Sequence, residues 1–214
     1  MLAIIITVIL AHFLALISPG PDFLLVVRSA FRNTRRRALG VAAGIAFANA
    51  VYIVLCILGV GAMIAHSLWL MMTLKALGGS FLIYVAYHAL KAKRSDYQFI
   101  EQARFETADL VNSPSFFKEF FYGMMSGLSN PKNIIFYISL FSVVLKPSMN
   151  HGVVIALGVW MTLIVFVWDA MIIFFLSHQK VRAKFAKIAY YFDKVAGVLL
   201  GLVGVKLLYS AIKN

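Results

Sequence analysis

The sequence predicts an all-α polytopic membrane protein with six transmembrane helices, arranged as two inverted three-helix repeats. Composition is the first observation behind this. Hydrophobic residues make up 62% of 214 and charged residues 13%, where soluble domains run about 45–50% and roughly 25%. The second is spacing. Apolar runs fall at about 2–27, 39–64, 67–90, 120–146, 152–177 and 195–212, each near the roughly 20 residues a spanning helix needs. The third is charge. The basic residues gather in alternate gaps, at 28–37, 91–119 and 178–194, so the positive-inside rule places those gaps in the cytoplasm and both termini outside.

The same numbers exclude other classes. A net charge of +12 suits a nucleic-acid binder only where the cations form a continuous basic face; here they sit in short gaps, and no nucleic-acid partner is expected. A lone cysteine, Cys56, lies inside an apolar run and excludes an intrachain disulfide. The five histidines lack metal-ligand spacing, so neither metal nor cofactor is expected. The opening Met-Leu-Ala-Ile has no basic n-region, and the first run reads as a retained span.

Taken in order, the first run carries His12 and then Ser18-Pro19-Gly20-Pro21-Asp22. Two prolines flanking a glycine interrupt a helix. In hydrocarbon such a break is tolerated only inside protein or beside a wet cavity. The second run holds Asn49, which needs a hydrogen-bond partner in lipid, from another helix or from substrate. The third holds Lys75, Gly78 and Gly79. Residues 1–91 thus form one repeat, and 92–119 a cytoplasmic loop that is flexible or short-helical and contains Pro114.

Residues 120–214 form the second repeat. Its first run is interrupted at Asn130-Pro131-Lys132-Asn133, and a shift of 112 positions brings Pro19 onto Pro131. Three spans per half is an odd number, so the second half enters from the opposite side. Paired breaks in such halves mark the substrate site of many secondary transporters, because a restarted helix points N–H groups and its positive end into the gap. The alternative is a pair of simple kinks with Asp22 and Asn130 as caps. The fifth run carries Asp169 at mid-depth, where an ionisable group usually faces a cavity or a partner. Asp22 and Asp169 are the candidates for proton coupling. In the sixth, Gly197, Gly201 and Gly204 form a small-residue face.

Ser18-Pro19-Gly20-Pro21-Asp22 followed by Phe23-Leu24-Leu25-Val26-Val27 resembles the signature of the LysE/RhtB family of amino-acid exporters. The likeness continues through Gly40, Gly44, Lys75, Gly78, Gly79, Tyr84 and Asn130-Pro131-Lys132. It spans essentially the whole chain and is strongest to the threonine/homoserine efflux branch. The resemblance implies a bacterial inner-membrane transporter rather than an enzyme, exporting a small amino acid against protons, with homo-oligomerisation left open. Basic-amino-acid exporters of this family often carry an acid early in the second span, where this chain has Asn49; that leans toward a neutral substrate. Export of lysine or arginine, or of another small metabolite, is the alternative. A channel is disfavoured by the lack of a filter-like run. An intramembrane aspartyl protease is disfavoured because neither Asp22 nor Asp169 sits in a Gly-x-Gly-Asp context.

Overall fold

The computed structural model describes residues 2–18, 20–60, 68–97, 114–145, 149–176 and 179–212. Its helices are α1 (Leu2–Ile17), α2 (Pro21–Arg32), α3 (Arg35–Leu55), α4 (Leu68–Lys91), α5 (Phe116–Ser129), α6 (Pro131–Val144), α7 (His151–Leu176) and α8 (Gln179–Ile212). A π-helical turn, Cys56–Val60, extends α3, and a 3-10 turn, Arg94–Tyr97, follows α4. The described residues contain no strand. Arg35–Gly59, His151–Leu176 and Lys187–Ile212 are each long and apolar enough to cross a membrane; α1 and α2, bent by 53°, make a fourth span if counted as one. Among the described residues the architecture is all-helical, that of a polytopic membrane protein.

Several boundaries move from their expected places. The first apolar run is two helices that reach Arg32. The stretch 178–194, expected as a basic loop, is helical from Gln179, and its cations ride on the extended end of α8. Lys194 has a specific reason to be there. Its amine donates to the carbonyls of Ala89 (3.2 Å), Leu90 (2.5 Å) and Ala92 (2.5 Å), closing the C-terminus of α4. Orphan carbonyls and the negative end of the helix dipole both favour a cation at that point. Replacing Lys194 with Met should therefore lower stability by about 1–2 kcal/mol, read as a fall in the melting temperature of purified protein. At the other boundary Lys118 and Glu119 lie in the first turn of α5, which Ser115 caps by accepting from the Lys118 N–H. Glu119 is not a loop acid; it is buried and accepts from Ser29 Oγ at 2.5 Å.

Small residues decide which helices meet. α3 lies on α5 through Gly40, Gly44, Gly123 and Gly127, so close that a Cβ on Gly44 would collide with the Phe120 carbonyl and one on Gly123 with that of Val41. α4 crosses α8 with the Gly79 and Gly204 backbones in contact and Gly197 against Ala86 and Ala89. Gly78 seats the Ser139 side chain of α6. Van der Waals packing of close backbones is the main attraction available between helices in lipid.

The apolar core is in two parts. One, including Phe31, Ala38, Tyr97, Leu176 and Ala189, lies at the end where the basic residues gather. The other, including Val8, Cys56, Phe136, Val154 and Leu200, lies toward the opposite end. Between them is a set of buried polar side chains: His12, Ser18, Asn49, Asn130 and Asp169.

Candidate functional site at two helix breaks

Each break follows from its proline. α1 ends at Ile17 and α2 restarts at Pro21, with Gly20 in extended conformation as a cap without a side chain. α5 ends at Ser129 and α6 restarts at Pro131, with Asn130 between them. Proline suits the first position of a helix because that N–H has no intrahelical partner in any case. Pro21 and Pro131 thus hold equivalent places, each opening a restarted helix. Asp22 and Lys132, opposite charges, take the second position of each restarted helix. Pro19 lies outside the described residues.

The two breaks are joined to each other by hydrogen bonds. The Asp22 carboxylate accepts from Ser126 Oγ (2.7 Å), Asn130 Nδ2 (2.8 Å) and Asn133 Nδ2 (2.7 Å). In return the Lys132 amine reaches the first break and donates to the Ser18 carbonyl at 2.6 Å. Of the two expected caps, Asn130 acts as one, accepting from the Lys132 N–H at 3.0 Å. Asp22 makes no cap bond; it stands in the first turn of α2, where a negative charge complements the dipole. Lys132 has the reverse placement, a cation at the positive end of α6. That end of the site favours an anion twice over.

A cavity of about 60 Å³ opens beside the breaks. Ser18, Gly20, Asp22, Asn49, Asn130, Lys132, Asn133 and Asp169 all line it, so the structure gathers eight of the sequence-derived candidates at one place. Pro21 and Pro131 line a neighbouring, larger cleft instead. Three buried polar atoms on the small cavity have no hydrogen-bond partner: Asn49 Oδ1, Asp169 Oδ2 and His12 Nδ1. Buried polar groups are normally paired, so these three mark a place built for water, a proton or a ligand. The volume admits a few waters; an amino acid needs it to widen.

Two participants were less visible in the sequence. His12 lies among Phe136, Tyr137 and Trp160, meets the Tyr137 hydroxyl at 3.2 Å through Nε2 and lines the cavity, its Nδ1 buried without a partner. Ser126 precedes Asn130 by one helical turn, and that spacing alone was the signal available.

The larger cleft, about 450 Å³, lies on the other side of the same breaks. Ser18, Gly20, Asn130 and Lys132 line both spaces and so form the wall between them. Its far side is made by α4, the turn at Asp96 and Tyr97, and Asp193 of α8.

A family model described as LysE type translocator matches residues 13–211. The threonine efflux proteins of Escherichia coli (strain K12) and Salmonella typhi are each 28% identical over 212 residues, covering 98% of this chain and all of theirs. An uncharacterized membrane protein of Bacillus subtilis is 28% identical over 198 residues, 89% of this chain and 91% of its own. No solved structure matches.

Proposed function

Because the chain belongs to the LysE type translocator family, and is a membrane transporter rather than an enzyme, we propose that it exports a small neutral amino acid of the threonine or homoserine kind across the bacterial inner membrane in exchange for protons. The observation that carries this is the joined pair of breaks: a carboxylate and an amine on opposite halves of the chain, beside a cavity lined by unpartnered polar atoms. The likeness to threonine efflux proteins supports the substrate class.

The electrostatics divide the work. The start of α2 already has its own carboxylate in Asp22, whereas the start of α6 presents N–H groups and Lys132. The substrate carboxylate belongs at the α6 end, displacing the Ser18 carbonyl as the acceptor for Lys132. A charged acceptor makes the stronger bond, and losing Lys132 loosens the first break. Asn49 offers its free Oδ1 to the substrate amine.

Six spans in two inverted repeats, 1–91 and 120–214, with both termini outside, give this site its motion. Exchanging the halves maps the α4–α6 contact onto α2–α8. The first is closed at Gly78 and Ser139; the second is parted by the 450 Å³ cleft on the basic side. Closing one as the other opens is alternating access. Asp169, buried with one carboxylate oxygen unpaired, takes up the proton that biases the exchange.

Counterflow in proteoliposomes tests the function. Vesicles preloaded with unlabelled amino acids should take up labelled threonine and homoserine but not lysine or leucine. Lysine uptake would overturn the Asn49 argument and keep the family; no counterflow from folded protein would overturn amino-acid export. Asp169→Asn should keep threonine counterflow within about threefold of wild type while losing accumulation driven by a pH gradient. Gradient-driven accumulation that survives in Asp169→Asn removes Asp169 from coupling.

A further inference from the structure

The large cleft contains a buried acid, Asp193, that the central site does not use, and it faces Lys132 from the far side of the cleft. Asp193 stands on α8 and is 5% exposed, with Oδ2 receiving the Tyr97 hydroxyl at 2.6 Å and Oδ1 having no partner. The neighbouring cations are occupied elsewhere. Lys194 is spent on three carbonyls of the α4 end, and the Arg94 guanidinium bonds the Tyr191 hydroxyl at 2.6 Å and stacks on Tyr190. A buried carboxylate oxygen left open in this way asks for a donor from outside the fold. Burial, reinforced by the carboxylate itself, holds the Tyr97 hydroxyl above its ordinary titration range, so it remains the donor that fixes one oxygen of a residue lining the cleft and leaves the other buried without a partner.

Across the cleft is Lys132, whose amine has the neutral Ser18 carbonyl as its one hydrogen-bond acceptor among the described residues. At about 450 Å³ the space falls within the usual range for small-molecule sites, roughly 300–1,000 Å³. We propose that this cleft is a second amino-acid site on the basic side of the breaks, in which Asp193 takes the ammonium group of a zwitterionic amino acid, Lys132 its carboxylate, and Tyr97 positions Asp193. The proposal rests on the reading of the chain as an amino-acid exporter. It adds a station at which substrate is captured before the breaks open; Lys132 stands on the wall between the two spaces, and its three N–H donors serve a carboxylate on either side.

Equilibrium binding of radiolabelled threonine to the purified full chain in detergent tests it. Wild type should bind two threonines per chain and Asp193→Asn one. Tyr97→Phe should keep both sites but weaken one of them about fivefold, because its carboxylate is no longer held. A competitor lacking the amine, 3-hydroxybutanoate, should leave the Asp193 site occupied by threonine. One site in wild type, or two in Asp193→Asn, would overturn the proposal and leave the exporter intact. Should Asp193→Asn fail to fold, Tyr97→Phe with both affinities unchanged would overturn it equally. Wild type that binds no threonine at all would sink the exporter reading, and this site with it.

Discussion

Asp22→Asn should abolish threonine counterflow and destabilise the protein at the same time. The Asp22 carboxylate accepts from three side chains of the second half, Ser126, Asn130 and Asn133. An asparagine there offers one acceptor oxygen, and its own NH₂ meets another donor. Bonds to a charged acceptor are worth about 1.5–3 kcal/mol each, so losing two of them removes much of what holds the breaks together. Counterflow should fall by more than about 100-fold, the equivalent of roughly 2.7 kcal/mol, with a clear drop in melting temperature. Ser126→Ala deletes only the donor to Oδ1, and its loss should be about tenfold or less. Wild-type counterflow from folded Asp22→Asn would remove Asp22 from the mechanism.

Gly44→Val should yield almost no folded protein. A side chain at Gly44 meets the backbone of α5 itself, with the Phe120 carbonyl in the way and the Met124 nitrogen 2.6 Å from the first added carbon. Overpacking against side chains costs about 1–3 kcal/mol. Here no rotamer relieves the clash, and the whole α3–α5 pair must separate, which belongs with the rare losses above about 4 kcal/mol. Gly44→Ala should already lower the melting temperature measurably. Gly59→Ala is the control: nothing lies within 4 Å of its added carbon, so its effect should stay within about 0.5 kcal/mol. A Gly44→Val protein that purifies as a single species and melts like wild type would refute the close crossing.

The membrane class, the two breaks and most of the polar side chains lining the small cavity were legible in the sequence because each rests on local chemistry. A proline forbids a helix hydrogen bond wherever it stands, so Pro21 and Pro131 announced both restarts. A polar group in an apolar run needs a partner or a cavity, which singled out Asn49 and Asp169. Resemblance to a known family then supplied the expectation of an amino-acid substrate, which no periodicity carries.

What the sequence could not supply were distances between the halves. Asp22 and Asn130 are 108 positions apart, and only the folded arrangement shows that one receives the amide of the other. Asp193, Lys194 and Glu119 read as loop charges because their neighbours in sequence are charged; in the fold α8 and α5 extend beyond their apolar runs and turn these three inward. Composition reports how much of a segment is oily, and so it dates the end of a span by its charges. A helix continues for as long as its backbone bonds and neighbouring helices sustain it, and that was decided by the tertiary structure alone.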